Sequence, residues 1–384
     1  MRTPDLNWIK DPRVFQVNRQ HAYSDHIYTI GKDKKPSSFS LNGTWKFNLS
    51  KNYDSCFKFF YNTEFNDSNW NDIQVPGHIQ LQGFDNPHYT DVTYPWDGHD
   101  VAKPGQIDMD KNKVYQYRKT FDCPQDFMGN KLILSFEGVE SNIYVWLNGK
   151  FIGYSEDSFT PSRFDITKYT QEKDNVLCVR IFQKCTGTWL EDQDMWRFTG
   201  IFRDVMIYKQ PSQHIQDLKI DTDINLDTNK SVLSCVCKMS SNEPHTLQAK
   251  LYDPQGNIVW NGNMQDTFEI PVENTCLWSS EFPNLYQLEL VLYDTNNEII
   301  ESIQEQVGFR KFTLEYGIMK LNGKRIVFHG INRHEWDPKT GRCLSQDQME
   351  EDIHMLKSLN INAIRTSHYP NNSYWYKLCD QYGI

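Results

Sequence analysis

The sequence predicts a multidomain fold in which two all-β sandwiches precede the beginning of an α/β unit. Short strand-like runs separated by turns extend from about residue 40 to about residue 308. The segment KQPSQH (209–214) has the composition of a linker and divides these runs into two groups. Beyond about residue 310, strand-like and helix-like runs alternate, which is typical of parallel strands joined by helices.

The first group of strands contains a clear hairpin. KLILSFEGV (131–139) and SNIYVWLNGKFIGYS (141–155) alternate or run apolar, and the second run holds Asn148-Gly149 between two apolar arms. Both turn residues tolerate the positive φ of a type I′ turn. NVLCVRIF (175–182) and FRDVMIY (202–208) are further strands. Since no long amphipathic helix interrupts them, we expect a β-sandwich or jelly roll.

The second group occupies about 100 residues after the linker. Its strand-like runs are IQDLKIDTDI (215–224), SVLSCVCKM (231–239), TLQAKLYDPQGNIVWNG (246–262) and YQLELVLYD (286–294). Short strands at this spacing favour an immunoglobulin-like sandwich. A continuation of the first sandwich is the alternative.

The third part opens with KLNGKRIVFHGIN (320–332), which predicts a hairpin turn at Asn322-Gly323 followed by a buried strand. Ser345 and Gln348 form a capping box that begins a helix. An apolar stripe on this helix is predicted at spacings of four, three and three, at Met349, Ile353, Leu356 and Leu359.

A second strand and helix follow directly. INAIRTSHYP (361–370) reads as a short strand, and the next helix carries Trp375, Leu378 and Tyr382 on one face. Gly383 suits the left-handed position at a helix end. Strand, helix, strand, helix is the start of an α/β unit with parallel strands.

Composition excludes several classes of partner. The net charge of −10 argues against nucleic acid and anionic membranes, because both require a basic patch. No apolar run is long enough for a membrane span, and the amino terminus lacks the apolar core of a signal peptide. Nine scattered cysteines without a C-x-x-C pair fit reduced thiols. We expect a cytoplasmic protein.

Several stretches carry a family resemblance. They include the opening NWIKDPRVFQVNRQHAYSDH, GVESNIYVWLNGKFIGYSEDSFTPSRFDIT, TWLEDQDMWRFTGIFRDV, GINRHEWDP and NINAIRTSHYPNNSYWYKLCDQYG. In this order they resemble the long cytoplasmic β-galactosidases of glycoside hydrolase family 2, over essentially the whole chain. The opening arm and the EDQDMWR stretch favour β-galactosidases over the related β-glucuronidases and β-mannosidases.

The resemblance implies an architecture of an arm, a jelly-roll sugar-binding domain, an immunoglobulin-like sandwich and the first two units of a (β/α)₈ TIM barrel. The corresponding ranges are 1–35, 36–209, 210–309 and 310–384. Retaining hydrolysis of a terminal β-galactoside, such as lactose, would then be the activity, and it needs two carboxyl groups about 5–5.5 Å apart. The family's acid/base glutamate in a W-S-x-x-N-E motif and its nucleophile are expected beyond Ile384, so this chain alone is expected to be inactive.

Glu335 follows the first barrel strand and could be mistaken for the missing acid. The family has no catalytic carboxylate there, and no second carboxylate stands near it in the motif. We expect a solvated loop position or a structural ion pair instead.

The resemblance assigns four substrate-binding residues. His368 would hydrogen-bond galactosyl hydroxyls, and Arg365 would help hold the nucleophile ionised. Asp194, the second Asp of EDQD, would reach from the jelly roll into the barrel mouth and meet both galactose and a sodium ion. Asp91 stands in a loop that lines the galactose pocket, where many family members carry asparagine.

The remaining sodium ligands and the magnesium site are expected only in the complete enzyme, together with an oligomer or a complementing chain. Two other readings stay open. One is a non-catalytic sugar-binding or interaction module, and the other is a family member that acts on a different β-glycoside.

Overall fold

A computed structural model describes residues 3–94, 103 and 105–384. The amino-terminal arm ties the two sandwiches together. After a 3₁₀ helix at Leu6–Lys10, strand β1 (Gln16–Val17) joins the first sandwich. Strands β2 (Tyr28–Ile30) and β3 (Lys35–Pro36) join the second. The arm therefore supplies edge strands to both sandwiches rather than lying on their surface.

The first sandwich has the all-β character that the sequence predicts. Its further strands are β4 (Ser38–Ser40), β5 (Gly43–Ser50), β6 (Asn71–Val75), β7 (His88–Thr90), β8 (Val114–Phe121), β9 (Lys131–Phe136), β10 (Val139–Glu140), β11 (Asn142–Leu147), β12 (Lys150–Glu156), β13 (Ser162–Asp165), β14 (Asn175–Phe182), β15 (Met195–Arg197), β16 (Gly200–Ile201) and β17 (Val205–Gln210). Short 3₁₀ helices lie at Gln80–Gln82, Gln125–Phe127 and Thr186–Trp189.

Two sheets of these strands face each other. Within the described residues, one has the order β1-β12-β11-β14-β8-β5-β6 and the other β13-β9-β17-β4. The predicted hairpin at Asn148-Gly149 joins β11 to β12, and both residues have positive φ, 48° and 75°. Both faces of the larger sheet are buried, and aromatic side chains pack on each of them. Trp45, Phe47 and Tyr117 pack between the sheets, whereas Trp146 and Tyr154 pack on the outer face under the arm.

The second sandwich has its own sheets and its own core, so it does not continue the first. Its strands are β18 (Ile215–Asn225), β19 (Lys230–Met239), β20 (Thr246–Tyr252), β21 (Ile258–Met264), β22 (Thr267–Glu273), β23 (Tyr286–Tyr293) and β24 (Ile299–Val307). They form sheets with the orders β18-β19-β22 and β21-β20-β23-β24-β2-β3. The connection is shorter than the predicted linker, because Lys209 and Gln210 stay paired with β9 and only residues 211–214 separate β17 from β18.

The α/β part begins with a hairpin and continues with two parallel strands and two helices. Its elements are β25 (Phe312–Glu315), β26 (Ile318–Leu321), β27 (Lys324–Arg325), β28 (Gly330–Arg333), α1 (Gln346–Ser358), β29 (Ala363–Thr366) and α2 (Ser373–Tyr382). The strands β28 and β29 pair in parallel, with Gly330 opposite Ala363 and Arg333 opposite Thr366. This confirms the predicted α/β start. Among the described residues, no helix is long and apolar enough to cross a membrane.

The helix predictions hold except at one position. Both capping-box hydrogen bonds between Ser345 and Gln348 are present, and Met349, Ile353 and Leu356 are buried. The prediction for Leu359 was wrong, because α1 ends at Ser358 and Leu359 is 65% exposed as its C-cap.

The strand predicted in KRIVFHGIN is shorter than expected. It covers only Gly330–Arg333, and Val327 and Phe328 before it are 55% and 49% exposed. A parallel strand becomes buried when neighbouring strands and helices cover it. In the described chain β28 pairs only with β29, and residues 326–329 precede the first pair, Gly330 with Ala363.

The hairpin of the α/β part exposes much apolar surface. Phe312, Leu314 and Tyr316 are 53%, 67% and 103% exposed. Such weakly packed segments open at low free-energy cost, so limited proteolysis should first cut residues 312–328. The two sandwiches should survive as larger fragments. Equal protease resistance of this hairpin and the first sandwich, measured by mass spectrometry over time, would contradict the expectation.

Candidate functional site

Two buried ion pairs join the α/β part to the first sandwich, and each part supplies the arginine of one pair and the glutamate of the other. Arg203 of the sandwich donates to Glu335 of the α/β part at 2.7 Å. Arg342 of the α/β part donates to Glu140 of the sandwich. All four side chains are almost fully buried. Because a charge left unpaired in such a place is costly, the two pairs fix how the parts sit together.

Glu335 is one of these structural groups. It is 1% exposed, and its second carboxylate oxygen accepts the backbone N–H of Asn372, the N-cap of α2, at 2.8 Å. Of the two roles expected from the sequence, the structural ion pair is confirmed and the solvated loop is wrong. The reason is Arg203, a distant residue whose approach the local sequence does not reveal.

A pocket of about 320 Å³ opens at the same junction. Eight side chains from both parts line it, namely Tyr89, Asp194, Met195, Trp196, His334, Trp336, Arg342 and Tyr369. The pairing of β7 with β15 sets Tyr89 opposite Trp196 and so brings two distant loops to one wall. Among the described lining residues, Asp194 is the one carboxylate.

Asp194 is exposed and held by a hydrogen bond. The Tyr89 hydroxyl donates to its Oδ1 at 2.5 Å. The same hydrogen bond raises the pKa of Tyr89, since an adjacent carboxylate disfavours the phenolate. Tyr89 therefore stays a donor at neutral pH, and the second oxygen of Asp194 is left for other donors.

His368 and Arg365 lie at the end of β29, as predicted. Arg365 Nη2 lies 3.1 Å from His368 Nδ1, and Arg365 Nη1 donates to Ser367 Oγ at 3.0 Å. The ring centroids of His368 and His334 are 5.4 Å apart at an interplanar angle of 82°. His368 thus packs against the pocket-lining His334, and Arg365 in turn contacts His368.

His334 was not identified from the sequence. Burial lowers its pKa, and the neighbouring His368 lowers it further. A neutral imidazole both donates and accepts hydrogen bonds, which suits sugar hydroxyls. A signal was available, because His334 follows β28 just as His368 follows β29. The carboxyl ends of parallel strands meet at one edge.

Aromatic side chains of the pocket were also missed. The rings of Trp196 and Trp336 lie 6.4 Å apart at 21°, and Tyr89 lies 5.4 Å from Trp196. The sequence indicated a surplus of aromatics but not which of them would face a site. Their convergence depends on the packing of the α/β part on the sandwich.

Asp91 is exposed and is not among the pocket-lining residues. Its carboxylate lies near enough to Tyr89 to contribute to the raised pKa of that residue. The rest of its loop, residues 95–102, lies outside the described residues. No group of three or more His, Cys, Asp or Glu side chains suited to a metal ion occurs in the described ranges.

Three family models match consecutive parts of the chain. The sugar binding domain of Glycosyl hydrolases family 2 matches residues 39–211, Glycosyl hydrolases family 2 matches 213–310, and the TIM barrel domain of the same family matches 312–384. Together with the two sandwiches and the α/β start, these matches show that the chain belongs to glycoside hydrolase family 2.

The chain is similar to bacterial β-galactosidases in particular. It is 48% identical over 393 residues to a β-galactosidase of Halalkalibacterium halodurans, which covers 99% of this chain and 39% of that protein. It is 42% identical to a β-galactosidase large subunit of Leuconostoc lactis, covering 99% of this chain and 64% of the subunit. The chain therefore spans between about two fifths and two thirds of the length of these relatives.

Solved structures support the fold. A β-glucuronidase of Bacteroides uniformis matches 90% of this chain with a TM-score of 0.74 at 22% identity, over 41% of that structure. A β-glucuronidase of Ruminococcus gnavus matches 95% of this chain and 59% of its own, with a TM-score of 0.75 at 21% identity. At this identity the likeness establishes the fold alone.

Proposed function

We propose that this chain supplies the amino-terminal part of a retaining β-galactosidase, including one wall of its galactose pocket. The observation that carries the proposal is the pocket at the junction, where Asp194 and His334 lie beside aromatic rings and His368 packs against His334. The similarity to proteins named β-galactosidase over 99% of the chain supports the choice of substrate.

The polar groups of the pocket suit a galactosyl unit. Asp194 accepts hydroxyl protons, and a neutral His334 offers one donor and one acceptor. His368 accepts from Arg365 through Nδ1, so it offers its Nε2–H as a donor. Trp196 and Trp336 present flat apolar faces to the carbon-bound hydrogens of a sugar ring. Arg365 would act on the nucleophile rather than on the sugar, since it lies behind His368. Asp91 would contribute through its loop beside Tyr89.

The chemistry itself needs two carboxyl groups, one to protonate the leaving oxygen and one to attack the anomeric carbon. The described pocket residues of this chain offer only Asp194. We therefore assign acid, base and nucleophile to the later barrel strands. Those strands would be supplied by a continuation of the polypeptide or by a complementing one; one similar protein is named a large subunit.

Sodium fits the exposed carboxylate of Asp194, because hard cations prefer oxygen ligands. A bound sodium ion would supply a fixed positive charge to orient a sugar hydroxyl. The other sodium ligands and a magnesium site would belong to the completing part.

A chimaera provides the test. Residues 1–384 joined to the remainder of the Halalkalibacterium halodurans relative should hydrolyse a nitrophenyl β-galactoside. Asp194→Ala in the chimaera should reduce kcat/KM by about a hundredfold, because a charge-assisted contact to the transition state is worth about 1.5–3 kcal/mol. It should also remove the dependence on sodium.

The matched control is Glu172→Ala, an exposed acidic residue of the same sandwich that does not line this pocket. Its kinetics and sodium titration should follow those of the unmodified chimaera. A folded chimaera that prefers a β-glucuronide, or an Asp194→Ala variant with unchanged kinetics across a sodium titration, would refute the proposal.

A further inference from the structure

Asp194, the carboxylate of the candidate galactose pocket, lies in a short irregular segment. Residues 191–194 lie between the 3₁₀ helix Thr186–Trp189 and β15, and they belong to no helix or strand. Asp194 itself is exposed. An exposed side chain on irregular backbone makes a precise contact only when other groups fix the backbone that carries it. The position of Asp194 therefore depends on what holds residues 191–194.

The side chain of Arg197 binds this segment at three successive residues. Its Nη1 donates to the backbone carbonyl of Glu191 at 3.2 Å, and its Nη2 donates to the backbone carbonyl of Gln193 at 2.7 Å. The same Nη2 donates to a carboxylate oxygen of Asp192 and forms an ion pair with it. One guanidinium thus fixes two carbonyls and one side chain in the three residues before Asp194.

Arg197 also binds the strand that carries the hydrogen-bond partner of Asp194. Its Nε donates to Thr90 Oγ1 on β7 at 3.2 Å. The residue before Thr90 is Tyr89, whose hydroxyl donates to Asp194. Arg197 therefore contacts both chain segments that carry the Tyr89–Asp194 hydrogen bond, and it holds them at a fixed separation.

The chemistry of arginine suits this place. The Arg197 side chain is 10% exposed, so water competes little for its hydrogen bonds. A guanidinium is planar and presents five N–H donors in a rigid fork, whereas a lysine ammonium is a single point charge on a flexible stem. The four acceptors of Arg197 lie on two separate segments, and only the fork can bind them all at once.

From these contacts we infer that Arg197 is a positioning residue for the candidate galactose pocket. It does not line that pocket. It holds residues 191–193 against β7 and thereby fixes the Asp194 carboxylate where a galactosyl hydroxyl would meet it. A misplacement of about 1 Å can cost about a hundredfold in rate, so the loss of the fork should be visible in kinetics. This inference deepens the proposed function and rests on it, because Arg197 acts through Asp194.

The test uses the chimaera of residues 1–384 with the remainder of the Halalkalibacterium halodurans relative. Arg197→Lys keeps the positive charge beside Asp192 and removes the fork. It should reduce kcat/KM for a nitrophenyl β-galactoside about tenfold, the usual effect of losing a group that orients a binding residue. Binding of a non-hydrolysed thiogalactoside, measured by calorimetry, should weaken as well.

The matched control is Arg118→Lys. Arg118 is a buried arginine of the same sandwich that likewise binds a carboxylate, that of Asp67, and the backbone carbonyls of Phe60 and Asn62. It does not line the candidate pocket. Arg118→Lys should therefore leave both kcat/KM and thiogalactoside binding as in the parent chimaera.

A double-mutant cycle separates positioning from general destabilisation. If Arg197 acts through Asp194, Arg197→Lys should change kcat/KM by less than about twofold in the Asp194→Ala background. An arginine with a merely structural role would cause the same loss in both backgrounds. Equal losses, or no loss in the parent chimaera, would overturn the inference and leave the effect of Asp194→Ala standing. An Asp194→Ala variant without effect would refute the proposed function, and this inference with it.

Thr90→Val covers the case in which Arg197→Lys does not fold. It removes one acceptor of the guanidinium at nearly constant volume. We expect a loss of kcat/KM of about threefold, the value of one hydrogen bond, and no further loss in the Asp194→Ala background. A Thr90→Val variant with the kinetics of the parent, or with equal losses in both backgrounds, would overturn the inference.

Discussion

Replacing Glu335 by alanine is expected to destabilise the protein by about 3–5 kcal/mol, the cost of removing one partner of a buried ion pair. The variant leaves Arg203 charged and buried without its carboxylate, and it removes the acceptor for the Asn372 N–H at the start of α2. Urea unfolding followed by tryptophan fluorescence would measure the shift.

Two further variants separate the ion pair from other effects. Glu351→Ala removes an exposed glutamate of α1 and should change stability by less than about 0.5 kcal/mol. The double variant Arg203→Met with Glu335→Gln removes both charges and should recover part of the loss, since a buried pair is often replaceable by uncharged groups. A loss as small as that of Glu351→Ala would show that the junction does not depend on this pair.

Glu301 should make the second sandwich less stable as the pH rises. It is 1% exposed on β24 and accepts the Ile215 N–H, and burial raises the pKa of its carboxyl to about 8. In the unfolded chain the group ionises above about pH 4.5, whereas in the folded chain it keeps its proton until about pH 8. Between these values the folded state binds the extra proton, so stability is complete below pH 4.5 and falls as pH rises to 8.

Glu301→Gln should remove this contribution and keep an acceptor for Ile215. We expect it to stabilise the second sandwich at pH 8 by about 2–4 kcal/mol, with little effect at pH 4. Hydrogen exchange of the buried strand amides measures that domain separately from the rest of the chain. Glu269→Gln, an exposed position on β22, is the control. A Glu301→Gln effect that is the same at pH 4 and pH 8 would exclude the titration.

Local rules predicted the elements whose cause is local. The Asn148-Gly149 turn, the Ser345–Gln348 box and the Gly383 helix end each depend on residues within a few positions. The prediction that Leu359 continues the buried stripe was wrong, because periodicity indicates a face but not the residue at which a helix ends. The prediction that Val327 and Phe328 lie in a buried strand was wrong, because burial of a parallel strand depends on neighbours distant in sequence.

The candidate site likewise contains residues that local patterns could identify and contacts that they could not. His334 was within reach, since it follows the carboxyl end of β28 by one residue and His368 follows that of β29 by two. The Tyr89–Asp194 hydrogen bond joins residues 105 positions apart, and the pair of Arg342 with Glu140 joins residues 202 apart. The first contact forms when the strands of the first sandwich pair, and the second forms when the α/β part packs on that sandwich. Periodicity and turn rules carry no information about either contact. The pairing of the arm with both sandwiches belongs to the same class.

The central proposal is that this chain contributes substrate contacts, while its described pocket residues offer no catalytic carboxylate pair. The direct measurement is hydrolysis of a nitrophenyl β-galactoside by the 384-residue chain, purified from a host that lacks its own β-galactosidase. We predict no turnover above background for the chain alone, and turnover once a polypeptide carrying the later barrel strands is added. Activity of the chain alone that survives purification and is lost on Glu335→Gln would contradict the claim, because it would make that buried ion-pair residue the acid.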